Sequence, residues 1–101
     1  MAYRLSHRAV DDMLQIWSDG AILFGLEQAE RYHQGLAAAL QFLAENPRAA
    51  RLRKEIAPPV RAHPFKVHLV VYEVDDRDDI LILRVRHGRE DWVSDPLQEL
   101  S

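Results

Sequence analysis

The feature that most constrains the fold is a single change in hydrophobic periodicity, which lies between Asn46-Pro47 and Val60. Before it, apolar residues recur every three or four positions, as on one face of an α-helix. After it, the runs HLVVYEV (68–74) and ILILRVRH (80–87) are rich in β-branched residues, as in strands. The chain therefore divides into a helical half and a sheet-forming half, each of which has an apolar face to bury against the other.

Two helices are predicted in the first half. Ser6 is the expected N-cap of the first helix, because its hydroxyl can accept from a free N–H of the first turn. Asp19 and Gly20 are the expected end of this helix, although the apolar AILF that follows could extend it. The second helix is expected to follow Gly25 and to stop at Asn46-Pro47, which completes a helical hairpin. The apolar stripes are Val10, Met13, Leu14, Trp17 and Ala21 in the first helix, and Leu26, Ala29, Tyr32 or His33, Leu36, Leu40 and Leu43 in the second.

The strand predictions define the fold class. AYRLS reads as a short first strand, and the proline-interrupted VRAHPFK (60–66) is expected at a sheet edge. The charged DDRDD (75–79) is predicted to turn one strand into the next. Both faces of ILIL are apolar, so the last strand is expected to be central and covered on both sides over its first half. These elements predict an α+β fold with a helical hairpin packed on a small antiparallel-rich sheet.

Composition limits the classes of function. A chain of 101 residues that is 48% hydrophobic is expected to form a single domain over residues 1–101. The absence of cysteine excludes disulfides, thiolate metal sites and thiol nucleophiles, and suits a reducing cytoplasm. No stretch approaches the roughly 20 apolar residues of a membrane span, so we expect a soluble cytoplasmic protein with no membrane partner. A net charge of −3 is a poor match to a protein that grips a phosphate backbone directly.

Four segments resemble one protein family. They are YRLSHRAVDDMLQIW (3–17), AERYHQGLAAALQFLAENP (29–47), HLVVYEV and, the most specific, ILRVRHGREDW (82–92). The chain resembles the ParE toxins of the RelE/ParE toxin-antitoxin superfamily. The resemblance implies a βααβββ fold with a short C-terminal tail. One segment departs from the family pattern: RAARLRKE (48–55), in the stretch expected to be a loop or partial turn between helix and sheet, is free of glycine and looks helical.

The resemblance also implies partners and an activity. It implies a ParD-like antitoxin that folds onto the toxin, DNA gyrase as the target of the free toxin, and contact with operator DNA only through the antitoxin. It implies inhibition by protein binding rather than catalysis, and no cofactor. The superfamily also contains ribosome-dependent mRNA endonucleases, so a RelE-like nuclease is the alternative function.

The residues themselves allow a test of that alternative. Cleavage at a 2′-hydroxyl needs a general base, a general acid and cations near the phosphate. The nuclease hypothesis assigns these tasks to His87, Tyr72 and either Arg61 or Arg84. The opposing interpretation is that arginines at a strand end are solvated or paired with neighbouring acids, which leaves no catalytic residue. The histidines at 7, 33, 63, 68 and 87 are scattered and show no His-Glu helical pair, so no metal site is predicted.

The protein-binding hypothesis predicts a surface instead of an active site. An antitoxin segment is expected to cover exposed apolar residues and to place acidic side chains near Arg84, Arg86 and Arg89. Gly88 is expected to mark the point where the last strand leaves the sheet. Trp17 is expected in the seam between helix and sheet, and Trp92 is expected to anchor the tail. The residues predicted to bind antitoxin or target are Arg61, Tyr72, Arg84, Arg86, His87, Arg89 and Trp92.

Overall fold

A computed structural model of the chain describes residues 3–89, and it places two helices on one face of a five-stranded sheet. The elements are β1 (Tyr3–Leu5), α1 (His7–Phe24), α2 (Leu26–Glu45), β2 (Leu52–Arg53), β3 (Val60–Phe65), β4 (His68–Val74) and β5 (Ile80–His87). The strand order is β1-β5-β4-β3-β2, with β1 parallel to β5 and every other pair antiparallel. The predicted α+β class is confirmed, and the two-residue β2 is an addition to the predicted element order.

Ser6 caps α1 and also fastens its start to the sheet. Its hydroxyl accepts from the Ala9 N–H at 3.0 Å and donates to the Leu83 carbonyl at 2.7 Å. Its own N–H donates to the Ile82 carbonyl at 2.9 Å. The predicted N-cap is therefore confirmed, and the same residue sets where α1 begins along β5.

The helix α1 does not end at Asp19 and Gly20 but continues through AILF to Phe24, which is the extension that the sequence left open. Gly20 lies inside the helix and faces α2: a Cβ built on it would lie 3.6 Å from the Cβ of Ala29, an ordinary van der Waals distance. The chain reverses at Gly25, whose φ of 93° lies in the region that favours glycine. A glycine inside a helix thus has the same sequence appearance as one that ends a helix.

The segment 48–55 is not helical, so the expected loop or partial turn is confirmed and the helical appearance of RAARLRKE is misleading. It contains turns and the short strand β2, in which Leu52 and Arg53 pair with Arg61 and Val60 of β3. This pairing satisfies backbone groups on the outer edge of β3 that a helix would have left open. β2 covers only the start of β3, so Pro64 lies on the uncovered part of that edge, as proline requires.

The core lies between the hairpin and the sheet. Its members are buried residues of both helices and of β4 and β5, among them Leu36, Leu40, Tyr72, Ile80 and Ile82. β5 lies between β1 and β4, so its predicted central position is confirmed. The opposite face of the sheet has a smaller cluster, built on Ile56, Val60 and Val71 and joined by half-buried Leu83. Cover on that face is thus thinner than the apolar ILIL pattern predicted.

A register shift lies in the hairpin of β4 and β5. Tyr72 pairs with Ile82, but the next residue back, Val71, pairs with Arg84, so Leu83 is left without a direct partner. Beyond the shift, His87 lies opposite His68. Residues at alternate positions of β4 share a face, so His68 lies on the same face as Tyr72, the face that the helices cover.

Candidate functional site

The tip of the helical hairpin, where α1 ends at Phe24 and α2 begins at Leu26, extends past the end of the sheet. Ser6 contacts β5 at Ile82, and Asp12 contacts it at Val85, so α1 advances along β5 in the strand direction. After Asp12 the helix continues for 12 residues, about 18 Å, whereas β5 continues for two residues after Val85, about 7 Å. The tip therefore has no strand beneath it.

The overhanging tip is apolar and open to solvent. Its four large side chains have exposed fractions between 63% and 80%: Ile22, Leu23, Phe24 and Leu26. The two helices contact one another there, since the Trp17 Nε1–H donates to Glu30 Oε1 at 3.0 Å. Trp17 is half-buried at this contact and is not in the core cluster, so its predicted place in the helix–sheet seam is wrong.

A groove of about 470 Å³ lies between the two helices of the tip and the end of the sheet. We call it the hairpin groove. Its walls are mainly apolar, and its floor at the sheet end consists of the last residue of β5 and the first residue of β4 with the residue before it. The lining residues are Met13, Ile16, Trp17, Asp19, Gly20, Leu23, Phe24, Gln28, Ala29, Tyr32, His33, Leu36, Val67, His68 and His87.

Three aromatic side chains with polar atoms meet at the sheet end of the groove, and we call Tyr32, His68 and His87 the histidine cluster. The Tyr32 hydroxyl is 2.6 Å from His68 Nδ1, and the rings of His68 and His87 lie edge to face with centroids 5.6 Å apart. Burial raises the pKa of Tyr32, and a backbone hydrogen bond with Val67 opposes that shift. Lys66 places its Nζ 5.5 Å from the centroid of the Tyr32 ring. This corner can therefore donate, accept and hold positive charge.

Gly88 carries the chain out of the sheet beside this cluster. Its N–H donates to the Val67 carbonyl at 2.7 Å, and a Cβ built on it would lie 3.2 Å from the same oxygen. Since β5 ends at His87, the expected exit of the strand at Gly88 is confirmed.

Arg84, one of the residues predicted to bind a partner, is engaged inside the chain. Its Nε and Nη2 donate to the two carboxylate oxygens of Asp12 at 2.7 and 2.8 Å, and the Val85 N–H donates to Asp12 Oδ2 at 2.9 Å. The two side chains are only 11% and 15% exposed. Arg84 thus joins α1 to β5 immediately after the register shift.

Tyr72 and Arg61 also have internal partners. Tyr72 is 0% exposed, and its hydroxyl donates to the Pro47 carbonyl at 2.8 Å. Burial raises the pKa of Tyr72, with Arg61 and a backbone hydrogen bond to Ala50 acting in the opposite direction. Arg61 Nη1 donates to the Ala50 carbonyl. Both side chains therefore support the loop after α2.

The remaining predicted residues differ in position. Arg86 is buried, with 4% of its surface exposed, and Arg89 is exposed beside the histidine cluster, its N–H donating to His87 Nδ1 at 3.1 Å. Trp92 and the tail that it was expected to anchor lie outside the described residues. Of the predicted residues that the structure describes, His87 lines the hairpin groove, and Arg89 contacts His87 through its backbone N–H.

Comparison with known proteins identifies the family. The family described as "ParE toxin of type II toxin-antitoxin system, parDE" matches residues 3–92. The chain belongs to the ParE toxin family. The resemblance read from the four sequence segments is thereby confirmed.

Individual relatives agree with this assignment. Toxin ParE1 proteins from two strains of Mycobacterium tuberculosis are 35% identical to this chain over 89 residues, which are 88% of this chain and 91% of theirs. Toxin ParE1 of Caulobacter vibrioides is 34% identical over 85 residues, which are 84% and 86% of the two chains. A chain from a solved "Chromosomal ParDE TA system from P. aeruginosa" has a TM-score of 0.74 at 21% identity, over 86% of this chain and 95% of its own. That similarity establishes the ParE-like fold.

The ParE fold separates the residues of the nuclease hypothesis. His87 lies opposite His68, while Tyr72 lies four residues further along β4, about 13 Å away, and is closed off in the core. Arg84 is held by Asp12, and Arg61 reaches the loop after α2. These side chains do not converge on one site.

Sequence reasoning missed the hairpin groove and the part that Tyr32 and His68 have in it. The sequence predicted that either Tyr32 or His33 lies on the apolar stripe of the second helix, and did not distinguish between them. The structure shows Tyr32 half-buried and His33 exposed. The available signal was the apolar run 21–24 followed by Leu26, because large apolar residues on all sides of a helix end indicate a surface that a partner covers.

Two absences are observed in the described part of the chain. Within residues 3–89, no group of three or more His, Cys, Asp or Glu side chains is arranged to hold a metal ion. Neither of the two helices described is long and apolar enough to cross a bilayer.

Proposed function

We propose that this ParE toxin, as one toxin domain over residues 1–101, acts by binding proteins and not by catalysis. A ParD-like antitoxin covers the hairpin groove and neutralises the toxin. The free toxin inhibits DNA gyrase. Operator DNA is contacted through the antitoxin alone, and no cofactor takes part.

The exposed apolar hairpin tip is the observation that carries this proposal. Monomeric proteins rarely leave large contiguous apolar patches in water, because covering such a surface is favourable. Here Ile22, Leu23, Phe24 and Leu26 are all more than half exposed beside an apolar groove. Such a surface suits a partner segment that folds on binding, and the ParDE assembly of the structural neighbour is consistent with an antitoxin as that partner.

The absence of catalysis is supported by where the acid and base candidates lie. General acid–base catalysis needs both groups within hydrogen-bonding reach of one substrate. Tyr72 is buried and bonded to Pro47, far from His87, and Arg84 is neutralised by Asp12. The RelE-like nuclease remains the alternative that the experiment below separates.

The residues predicted to bind antitoxin or target receive two different roles in this proposal. We assign direct contact with antitoxin or target to His87, which lines the groove, and to the exposed Arg89, whose N–H donates to His87 Nδ1. Arg61, Tyr72, Arg84 and Arg86 are buried or half-buried, so we assign them to holding the surface in shape. Trp92 keeps its proposed role as a contact residue.

The test uses purified DNA gyrase with relaxed plasmid and ATP. We expect the toxin to block supercoiling or to accumulate cleaved plasmid, and we expect the antitoxin encoded next to the toxin gene to reverse this. Leu23→Ser removes an apolar side chain from the groove and should weaken antitoxin binding. Leu14→Ser is the matched control, because Leu14 is also on α1 and is 64% exposed against 70% for Leu23, but does not line the groove.

Either of two results would contradict the proposal. If folded toxin in large excess leaves gyrase unaffected but cleaves ribosome-bound mRNA, the nuclease alternative replaces it. If Leu14→Ser weakens antitoxin binding as much as Leu23→Ser does, the hairpin groove is not the docking surface.

A further inference from the structure

A second surface with exposed cations and apolar side chains lies at the other end of α2 from the hairpin tip. Residues 48–55 carry four cations and one carboxylate, in a chain whose net charge is −3. Leu52 in this segment is 37% exposed, and Phe42 near the end of α2 is 46% exposed. We call this surface the basic patch, and it consists of Phe42, Arg48, Arg51, Leu52, Arg53 and Lys54.

The apolar members of the basic patch lie in one row at the edge of the sheet. Leu52 of β2 pairs with Arg61 of β3, and His63 is on the same face two residues further along β3. The centroids of the His63 and Phe42 rings are 5.8 Å apart. β2 is the outermost strand on this side of the sheet that the structure describes. A partner can therefore approach this row from the edge of the sheet.

The loop that presents the basic patch is fixed by hydrogen bonds to the sheet. The Tyr72 hydroxyl donates to the Pro47 carbonyl at 2.8 Å, and the Arg61 guanidinium donates to the Ala50 carbonyl. The pairing of β2 with β3 fixes the chain again immediately after these contacts. A surface that is ordered before binding loses less conformational entropy when a partner docks. The basic patch is therefore preorganised for binding.

Two ion pairs of the basic patch are exposed to solvent. The side chains of Arg48 and Asp78 are 59% and 49% exposed, and those of Arg51 and Glu55 are 72% and 50% exposed. Exposed ion pairs contribute little to stability, so these arginines lose little when they exchange their carboxylates for those of a partner.

The composition of the basic patch favours a protein partner over a nucleic acid. Arginine and aromatic side chains are enriched at protein–protein interfaces. A phosphate backbone would offer no apolar contact to Leu52, and a net charge of −3 opposes the approach of a long polyanion. The complementary surface is therefore a protein surface with carboxylates around an apolar centre.

The basic patch is also separate from the hairpin groove. α2 contains 20 residues, so its two ends are about 30 Å apart. Leu36 is the last residue of α2 that lines the groove, and no residue of the basic patch lines it. The two surfaces can therefore receive different partners.

We propose that the basic patch docks an acidic, partly apolar surface of the protein that the free toxin inhibits. This inference rests on the proposed function, in which that protein is DNA gyrase. It adds the face of the toxin that makes the contact and the chemistry of the surface that it meets. The antitoxin and the target then bind near opposite ends of α2.

The test compares two charge reversals in the gyrase supercoiling assay. Arg51→Glu reverses a cation of the basic patch, and Arg31→Glu is the matched control with the same change in net charge. Each arginine lies four positions from its glutamate, at 3.6 Å for Arg51 and 3.5 Å for Arg31, and the two side chains are 72% and 68% exposed. Neither arginine lines the hairpin groove.

We expect Arg51→Glu to raise the toxin concentration that half-inhibits gyrase about tenfold, because it places like charges opposite one another. This ratio to the wild type should shrink when salt is raised from about 50 mM to about 200 mM. Arg31→Glu should stay within about twofold of the wild type, since its exposed ion pair contributes little. Arg51→Glu should also keep its dissociation constant for the antitoxin encoded next to the toxin gene.

Four results would overturn the inference. If Arg51→Glu inhibits gyrase as strongly as the wild type, the inference is refuted while the proposed function stands. If Arg51→Glu weakens antitoxin binding and Arg31→Glu does not, the basic patch contacts the antitoxin instead. A gel shift of plasmid DNA by wild-type toxin alone, lost in Arg51→Glu, would assign the patch to nucleic acid. If the wild type leaves gyrase unaffected, the proposed target and this inference both fail.

Discussion

The contact between Asp12 and Arg84 is predicted to be the strongest single tie between the helical hairpin and the sheet. Asp12 accepts three hydrogen bonds, two from the Arg84 guanidinium and one from the Val85 N–H. Asp12→Ala leaves a nearly buried cation and a backbone donor without their acceptor. Breaking a buried pair from one side costs about 3–5 kcal/mol. For a chain of this size each 1 kcal/mol lowers Tm by about 4–8 °C, so we expect a decrease of well over 10 °C.

The assay is urea denaturation followed by far-UV circular dichroism, with the free energy of unfolding compared between variants. Arg48→Ala is the control, because the Arg48–Asp78 ion pair is 59% and 49% exposed and should contribute about 0–1 kcal/mol. The double variant Asp12→Ala/Arg84→Met should recover part of the loss, because it also removes the cation that has lost its carboxylate. A cost of Asp12→Ala no larger than that of Arg48→Ala would refute the reasoning.

Three further predictions concern the scaffold, each read from urea or thermal unfolding. Gly20→Ala should raise the free energy of unfolding by up to about 1 kcal/mol, since the new Cβ meets only ordinary van der Waals contact inside a helix. Gly35→Ala should raise the free energy of unfolding by less, or lower it, because its Cβ would lie 3.0 Å from Phe65. Ser6→Ala should cost about 1–2 kcal/mol by removing the cap, and an unchanged Tm would contradict this. Burial raises the pKa of Tyr72 in the folded protein. Above the pKa of about 10 in the unfolded chain, the unfolded state therefore loses this proton first, and the free energy of unfolding falls as pH rises. Tyr72→Phe should flatten that decline when thermal unfolding is measured at a series of alkaline pH values.

Local signals in the sequence predicted several elements because they act over a few residues. Ser6 predicted the start of α1, Asn46-Pro47 the end of α2, and the DDRDD turn the hairpin of β4 and β5. Each prediction depends on backbone hydrogen bonding between near neighbours, so no knowledge of the rest of the fold was needed. The family resemblance also came from the sequence, and the match over residues 3–92 confirms it.

The errors came from residues whose role depends on distant contacts. Gly20 looked like a helix end but lies inside α1 and faces Ala29, nine positions later in the chain. Segment 48–55 looked helical but pairs in part with β3. Arg84 looked like a binding residue until its carboxylate partner, Asp12, was located 72 positions earlier. In each case a long-range contact overrode a local preference.

The sequence by itself determined the fold class and the family, because periodicity, caps and turns are short-range signals that are clear in this sequence. Only the tertiary structure decided which polar residues are available to a partner. Hydrogen bonds between residues that are many positions apart decide this: Asp12 accepts from Arg84, and the Pro47 carbonyl accepts from the Tyr72 hydroxyl. His87 lies opposite His68 across the strand pair. The overhang of the hairpin, and with it the apolar groove, depends on where α1 leaves the sheet, which is a property of the assembled fold.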